Sequence, residues 1–507
     1  MSAYSAMPAV VLPAVPAGPG LEEGLSARLA AGPGMWEDEE WLSELRRDGL
    51  ISGLLASGVI SRACGAGGHA HRIERALTAA VTLLCLVTGA LFCSQSYAMV
   101  LARAFSMPGA RVRPGTPVPT PPALSQARVR LGALPARRAV ELDAARDDVP
   151  LCEGGTLLGL ELVIFDGTTL DLHACPELAA EFGVPEGGTR PQLRVTALLQ
   201  AGSMRWLAAA VGGYRDGENA LADRLEGALR PGQLSLADRG FFSMDRWIRF
   251  SATGAHLLWR VKNGAKSVPF RHLETLKDGS ELVLLRESAA MLGRRRRDAG
   301  DRTLPRHPGT VARLVCFTIV TRARSGRTKT TAVRVLTTLL DPDAFPAREI
   351  AAGYARRWQV ETAFLHLKRT IRGAGKELRG QSPVLARQEA WALLLVHNMI
   401  AAMAARAAHA AGAGIAAVSL AAVLALVRDH VTADACCPHC GKRPSSPEDP
   451  LAILTAAIAA QPLNRENRNR TSGRTAAERR KWPTEEATYD LTITPSNLPP
   501  ADTSPRT

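Results

Sequence analysis

The chain has 507 residues, which suffices for two to four domains and a large buried core. Lys and Arg outnumber Asp and Glu by 62 to 48, and the formal net charge is +14. Such an excess is typical of proteins that bind a polyanion such as DNA, although a solvated basic surface would give the same charge. Nine cysteines scattered over this length exclude a disulfide-stabilised scaffold.

The amino-terminal part is predicted to be a short leader followed by a helical domain. Residues 1–20 are rich in Ala, Pro and Val and lack a basic start, which indicates a disordered leader and not a secretory signal. Residues 21–150 have helical periodicity, and we expect this domain to bind DNA. The uncharged segment 76–93 is long enough for a membrane span. We interpret it as a buried helix because it is rich in Ala and Thr and no second span accompanies it, so we expect no membrane association.

A basic helix is predicted near the end of this helical domain. Pro and Gly cluster at 108–122 and indicate a loop or linker. In the segment ALSQARVRLG at 123–132, Arg128 and Arg130 would make the outer face of a helix basic. A helix, a turn and a second basic helix could enter a DNA groove. A solvated helical hairpin would show the same pattern.

Residues 151–409 are predicted to form an α/β domain. Two segments, 218–230 and 243–253, favour helices, and apolar runs favour buried strands. The strands are expected at 157–172, 193–200, 205–213, 234–238 and 256–262. This order indicates a mixed sheet, interrupted by a β-rich insertion at about 263–345. The Arg-rich stretch at 293–297 in this insertion suggests a solvated loop or an additional phosphate contact.

The carboxyl-terminal part is predicted to be helical and then disordered. Helical periodicity runs from 347 to about 372 and continues at 384–409 and 414–429. We expect a helical carboxyl-terminal region over 410–460. Residues 461–507 are rich in Arg, Asn and Pro, which indicates a basic disordered tail.

A cysteine–histidine cluster with the sequence CCPHC lies in the helical carboxyl-terminal region. Cys437 and Cys440 have the two-residue gap of a zinc knuckle, and Cys436 or His439 would have to complete the site. No second ligand pair lies nearby, and adjacent ligands in so short a loop strain tetrahedral geometry. Structural zinc and free thiols in a loop are both compatible with this pattern.

Two aspartates follow apolar strands. Asp166 is expected at the end of the apolar strand run within 157–172, and Asp238 at the end of the strand at 234–238. A carboxylate at the carboxyl end of a buried strand is well placed for function, because strand ends line the crevice of an open sheet. Either aspartate alone could equally be a turn former or a helix cap.

A third motif, YARRWQVETAFLHLK at 354–368, places four polar groups at helical spacing. On one continuous helix, Tyr354, Arg357, Glu361 and Lys368 would fall within about 60° of one another. A surface helix with an ordinary Arg357–Glu361 ion pair would show the same spacing. The opposite face carries large apolar side chains for packing, so the polar stripe could face a site.

Two aspartates and a glutamate can together hold two divalent cations. Magnesium prefers oxygen ligands and retains bound water, so few carboxylates suffice. Two such ions can activate a water or a 3′-hydroxyl and stabilise the leaving oxygen of a phosphodiester. Arginine and lysine on the same helix could bind phosphate.

Three motifs resemble the transposases of the insertion-sequence-four group, which have a ribonuclease-H-like catalytic core. VIFDGTTLDL surrounds Asp166 and LSLADRGFFS surrounds Asp238, and both look like the aspartate strands of that family. The 354–368 segment reproduces its Tyr-x2-Arg-x3-Glu-x6-Lys pattern without a gap. The resemblance covers roughly 40–405. It implies a ribonuclease-H-like mixed sheet with a β-rich insertion, flanked by helical amino- and carboxyl-terminal regions.

The resemblance also implies a site and a reaction. Asp166, Asp238 and Glu361 would bind two Mg²⁺ or Mn²⁺ ions. The implied reaction is cut-and-paste transposition, in which terminal inverted repeats are cleaved and the freed 3′-hydroxyl joins target DNA. A homodimer would hold the paired ends of double-stranded DNA. The implied location is the bacterial cytoplasm, with nucleoid association. A nuclease of the same fold, or an inactive DNA-binding relic, is the alternative.

Further DNA contacts follow from the same resemblance. Tyr354, Arg357 and Lys368 would hold phosphates near the cleaved end. Trp259 is the nearest candidate for stacking on a flipped base, although a core tryptophan would occupy the same strand position. Arg239, next to the second aspartate, is another candidate contact.

Overall fold

The structure is a computed structural model of the chain. It describes residues 51, 54–55, 58–66, 76–107, 116–263, 270–322, 328–436, 450–461 and 488–495. The predicted leader at 1–20, the CCPHC cluster apart from Cys436, and most of the basic tail lie outside these residues.

Five helices form the described amino-terminal part of the chain. They are α1 (Val59–Ala66), α2 (Ala79–Leu91), α3 (Tyr97–Ser106), α4 (Pro121–Leu131) and α5 (Leu134–Ala144). Thr78 and Ser96 cap α2 and α3, because their hydroxyls accept hydrogen bonds from backbone N–H groups of the first turn. Helix α2 has 13 residues, and most of its side chains are buried among the neighbouring helices. The apolar segment at 76–93 is therefore a helix of the protein core, as predicted.

A mixed sheet follows these helices. Its first strands are β1 (Thr156–Leu157), β2 (Leu160–Asp171), β3 (Gln192–Gln200), β4 (Arg205–Gly213), β5 (Gln233–Ala237) and β6 (His256–Arg260). The strand order is β4-β3-β2-β5-β6. β2, β3 and β4 pair antiparallel, whereas β5 and β6 continue parallel to β2. This is the ribonuclease-H-like arrangement, with β2 at the centre of these five strands.

Short helices connect these strands. They are α6 (Pro176–Phe182), α7 (Glu218–Asp223) and α8 (Met244–Ser251). The predicted helix at 218–230 is shorter than expected, since a separate 3₁₀ turn occupies Glu226–Ala228. Strand β2 continues past the end of its apolar run, because its pairing with β3 extends to Asp171. Asp166 consequently lies inside β2 and does not end it.

Alternating side chains of β2 pack against two separate cores. Leu162 and Ile164 belong to the core on one face of the sheet, and Val163 and Phe165 to the core on the other. Side chains alternate between the faces of a strand. Asp166 therefore shares a face with Leu162 and Ile164.

The predicted insertion extends the same sheet. It contains β7 (Phe270–Thr275), β8 (Glu281–Leu285), α9 (Ala289–Asp298), β9 (Thr310–Arg322) and β10 (Thr328–Thr337). β10 pairs antiparallel with β6, so the strands of the core and insertion are continuous. The Arg-rich stretch at 293–297 is part of helix α9 and is not a loop.

The segment predicted as one helix from 347 to 372 is broken twice. Helix α10 (Ala347–Tyr354) passes into a 3₁₀ turn at Ala355–Arg357, and helix α11 (Trp358–Leu365) passes into a π-helical segment at His366–Ile371. π-Helical turns are rare and often occur at functional sites. The four polar groups of this motif therefore do not follow the register of one ideal helix.

Three helices complete the helical carboxyl-terminal part. They are α12 (Pro383–Ala410), α13 (Leu420–Ala433) and α14 (Pro450–Ala459). In the described part of the chain, α12 alone is long and apolar enough to cross a bilayer, and its apolar window is entirely buried within the fold. Helix α12 packs against α2, α5, β4 and α14, so it joins the amino-terminal helices to the sheet.

The carboxyl-terminal tail contains a strand, which corrects the prediction of disorder throughout 461–507. β11 (Thr488–Ile493) pairs antiparallel with β9, from Thr488 opposite Arg322 to Ile493 opposite Phe317. A further backbone hydrogen bond of 2.9 Å joins Thr494 N to Cys316 O. β11 therefore covers an edge of β9 that would otherwise expose unpaired backbone groups.

Removal of β11 should destabilise the insertion. We expect a chain ending at residue 487 to melt about 3 °C or more below a control chain ending at residue 495, which keeps β11. Amide exchange at Thr318 should be faster in the shorter chain, because its N–H lies on the edge of β9 that β11 covers. Equal melting temperatures and equal exchange rates would show that β11 does not stabilise this edge.

Candidate active site

Asp166 and Asp238 lie side by side at the centre of the sheet. The parallel pairing of β2 with β5 ends where Phe165 lies opposite Ala237, and each aspartate is the next residue of its strand or chain. Neighbouring strands are about 4.8 Å apart. The two carboxyl groups therefore emerge from adjacent positions, as their sequence positions predicted.

Arg357 connects Glu361 to Asp166 by contacts with both carboxylates. Arg357 Nη2 lies 2.8 Å from Glu361 Oε1, and Arg357 Nη1 lies 3.4 Å from Asp166 Oδ2. The Arg357 side chain is 9% exposed, whereas that of Glu361 is 41% exposed. One largely buried guanidinium group thus spans the gap between the first aspartate and the glutamate.

Burial and nearby negative charges disfavour the carboxylate form of Asp166. Its pKa is raised to about 7, mainly by burial, and the negative charges of Glu218 and Glu361 act in the same direction. Arg357 and a 2.8 Å hydrogen bond from Gly167 N–H lower the pKa of this carboxyl. The carboxylate form consequently depends on nearby positive charge.

Asp238 has a buried oxygen without a hydrogen-bond partner. Its Oδ1 atom accepts no hydrogen bond from the residues that the structure describes. Arg260 Nη1, at the end of β6, lies 3.7 Å from this atom and gives a weak ion pair. An unsatisfied buried carboxylate oxygen is costly unless a cation or a donor binds it.

The donor chemistry of this cluster fits a hard divalent cation, because every acidic group offers carboxylate oxygens. The orphaned Oδ1 of Asp238 is a direct sign of such a fit. Among the described residues, no three His, Cys, Asp or Glu side chains already have metal-coordinating geometry. Arg357 lies between Asp166 and Glu361. For these two carboxylates to bind the same ion, the guanidinium would have to move away and the carboxylates would have to approach each other.

The predicted phosphate-binding groups have different environments. Tyr354 is buried, and its hydroxyl donates a 3.2 Å hydrogen bond to Ala237 O. It is therefore not free to bind phosphate in this arrangement, which corrects the predicted contact. Lys368 is half-buried in the π-helical segment, and burial lowers its pKa, with Arg372 acting in the same direction and Asp171 opposing.

The two arginines of the predicted basic helix are not equivalent. Arg128 is 3% exposed, and its guanidinium forms an ion pair with Glu389 at 3.1 Å and a hydrogen bond with Gln388 at 3.2 Å. Its assignment to the outer face, where it would contact DNA, is therefore wrong. Arg130 is exposed, as is Arg239 beside the active-site aspartate.

Trp259 is also wrongly assigned as a base-stacking residue. Its side chain has no exposed surface, and its Nε1 donates a 3.2 Å hydrogen bond to Ser235 Oγ. The ring makes edge contacts with Trp247 and Phe250. Contact with a flipped base would require this core to open.

The predicted zinc cluster is not tested by the described residues. Cys437, His439 and Cys440 lie outside them. Cys436 is described and half-buried, and its backbone N–H donates a 2.6 Å hydrogen bond to Ser106 O.

Two charged residues near the aspartates were not predicted. Arg260 ends a parallel strand next to β5, so its strand-end position could have indicated a place at the site. The Glu218 carboxylate lies against Gly167, the residue after Asp166, and its negative charge raises the pKa of Asp166. Its position after β4 carries no comparable sequence signal.

Comparisons with known proteins match most of this architecture. Residues 158–399 match the family model described as transposase DDE domain, and residues 49–140 match that of the insertion element 4 transposase N-terminal domain. The transposase InsG for insertion sequence element IS4 of Escherichia coli (strain K12) is 27% identical over 353 residues, which cover 68% of this chain and 73% of InsG. InsZ of the same strain is 28% identical over 142 residues, which cover 27% of this chain and 48% of InsZ.

The chain also has a distant likeness to a solved structure. The cryo-electron microscopy structure of a piggyBac transposase synaptic complex with hairpin DNA has 10% sequence identity and a TM-score of 0.39, and the match covers 81% of this chain and 84% of that chain. The family assignment depends on the sequence matches, in which the amino-terminal and catalytic models follow one another along the chain. This chain belongs to the insertion-element-4 family of DDE transposases, enzymes that cleave DNA and transfer its strands.

Proposed function

We propose that this transposase carries out cut-and-paste transposition at the cluster of Asp166, Asp238 and Glu361. The observation that supports this assignment is the Arg357 guanidinium, which contacts both Asp166 and Glu361 although residues 166 and 357 are 191 positions apart in sequence. The three acidic groups thereby share one end of the sheet. DDE transposases use divalent metal ions, and we propose Mg²⁺ or Mn²⁺, two per site.

Each acidic residue has a defined part in this proposal. The three carboxylates hold the ions, and bound ions supply Lewis-acid activation of a water or a 3′-hydroxyl and stabilise the leaving oxygen. The orphaned Oδ1 of Asp238 provides one ligand atom without loss of a hydrogen bond. Glu361, the most exposed of the three, can move towards Asp166 when Arg357 leaves its present position.

Arg357 and Lys368 are proposed to hold DNA phosphates beside the reacting bond. The guanidinium of Arg357 already balances carboxylate charge, and ions bound by those carboxylates would free it for a bidentate phosphate contact. Lys368 is half-buried, so its ammonium group loses hydration and gains from a phosphate partner. The hydroxyl of Tyr354 fixes the carbonyl of Ala237, next to Asp238, and would contact phosphate only after local movement.

The wider assembly follows from the reaction. We propose that residues 21–150 bind the terminal inverted repeats, and that residues 151–409 form the catalytic domain. Two copies of the chain would hold the paired ends of the element, because both ends must be joined to one target. The positive net charge of +14 supports contact with this much DNA. We place the reaction in the bacterial cytoplasm, on DNA of the nucleoid.

Loss of one metal-binding carboxylate should abolish both reaction steps. We expect Asp166→Asn, Asp238→Asn and Glu361→Gln each to reduce cleavage and strand transfer by about a thousandfold or more, since bound ions supply several kcal/mol of transition-state stabilisation. The assay combines purified protein, a terminal inverted repeat, a target plasmid and Mg²⁺. Asp245→Asn is the matched control, because Asp245 is exposed on α8.

The same assay distinguishes the alternatives. Cleaved ends joined to the plasmid support transposition, whereas cleavage without joined products supports a nuclease of the same fold. Undiminished activity in Glu361→Gln would contradict the assignment of the site.

Arg128 and Arg130 should separate stability from DNA binding. Arg128→Leu removes the cation that pairs with Glu389, whose side chain is only 15% exposed, so we expect a loss of about 3 kcal/mol in the free energy of unfolding. Arg130→Leu should change stability by no more than about 0.5 kcal/mol and reduce the salt dependence of DNA affinity by about one phosphate contact. Denaturant melts and binding titrations at several salt concentrations measure both effects. A stable Arg128→Leu variant with weakened DNA binding would reverse the roles given to the two residues.

A further inference from the structure

A fourth acidic residue lies at the same end of the sheet as the three proposed metal ligands. Glu218 is the first residue of α7 and follows Gly217, whose φ is +68°. Its side chain is half-buried.

The Glu218 carboxylate lies directly on the backbone of Gly167, the residue after Asp166. A Cβ atom at position 167 would overlap Glu218 Oε1 and would stand only 2.8 Å from Glu218 Cδ. Glycine is thus required at this position for the observed placement of Glu218. Gly167 faces the side of β2 that carries Val163 and Phe165, so Glu218 approaches from the sheet face opposite to Asp166.

The charge of Glu218 interacts with the charges of Asp166 and Asp238. Burial raises the pKa of Glu218, and the negative charge of Asp238 raises it further, whereas Arg194 lowers it. Glu218 in turn raises the pKa of Asp166. Within the part of the chain that the structure describes, its carboxylate oxygens have no hydrogen bond or ion pair. A half-buried carboxylate near two others destabilises the folded state. Arg194 offsets part of this repulsion, and a bound cation would offset more of it.

We propose that Glu218 is a fourth acidic group of the metal site and positions a bound ion or its water ligands. The inference rests on the proposed assignment of Asp166, Asp238 and Glu361. Divalent ions such as Mg²⁺ retain several water molecules, and those waters need acceptors that fix their orientation. Glu218 supplies such an acceptor from the sheet face opposite to Asp166. It is a positioning residue, since it need not contact the reacting phosphate.

Metal binding in the absence of DNA tests this inference directly. Mn²⁺ is titrated by calorimetry into the full-length protein and into Glu218→Gln, which keeps the shape of the side chain and removes its charge. We expect the variant to bind Mn²⁺ about tenfold more weakly or worse, as is usual when a group that orients metal ligands is lost. Its melting temperature in EDTA should not fall below that of the parent protein. Glu186→Gln is the matched control, because Glu186 is exposed on a loop after α6.

Asp166→Asn in the same titration separates this inference from the proposed function. Loss of Mn²⁺ binding in Asp166→Asn but not in Glu218→Gln would overturn the role of Glu218 and leave the three-residue site intact. Retained binding in both variants would overturn the site assignment itself.

A double-mutant cycle tests the close contact with Gly167. Gly167→Ala should displace the Glu218 carboxylate and weaken Mn²⁺ binding about as much as Glu218→Ala does. The double variant should bind no more weakly than either single variant, because both remove the same group from the site. Fully additive losses would show that the Gly167 contact plays no part in metal binding and would contradict the proposal.

Discussion

The catalytic end of this protein depends on one guanidinium group placed between two carboxylates. Arg357 contacts Asp166 at 3.4 Å and Glu361 at 2.8 Å, and it is itself largely buried. Burial raises the pKa of Asp166 to about 7 even beside Arg357, whose positive charge favours the carboxylate form. Arg357 therefore keeps the acidic groups together when no ion is bound. The structure of the sheet and of α11 makes this contact possible.

The sheet explains how residues remote in sequence reach one place. β2 and β5 are parallel neighbours, so Asp166 and Asp238 leave the sheet at the same end. Alternation along β2 turns Asp166 towards the core that includes Val360 and Phe364 of α11. The break at Ala355–Arg357 and the π-helical segment at His366–Ile371 then set the directions of Arg357 and Lys368. Irregular helix geometry is thus part of how this chain arranges its polar groups.

Much of this arrangement could be predicted from the residues. Apolar runs located β2 to β6 to within a few residues, because buried strands have few polar positions. The spacing of Arg357 and Glu361 predicted their ion pair, since residues four apart are neighbours on a helix. The two aspartates followed from their strand positions.

Other features depend on tertiary contacts that periodicity does not encode. Arg128 looks solvated on its own helix but is buried against Glu389, which lies 261 residues away. Trp259 and β11 were misjudged for the same reason, because their partners come from other segments of the chain. The position of Glu218 at the site was not predicted, because its carboxylate occupies the space that any side chain larger than that of Gly167 would fill. Local pattern thus predicted the elements, and packing decided which polar residues face the site.

The most direct test of this account is the position of Mn²⁺ ions in crystals of the full-length protein, located by anomalous scattering. The account predicts density bounded by the carboxylates of Asp166, Asp238 and Glu361, with the Arg357 guanidinium displaced from between the first and the last. Mn²⁺ bound only elsewhere, or a saturated crystal in which Arg357 still joins Asp166 to Glu361, would contradict it.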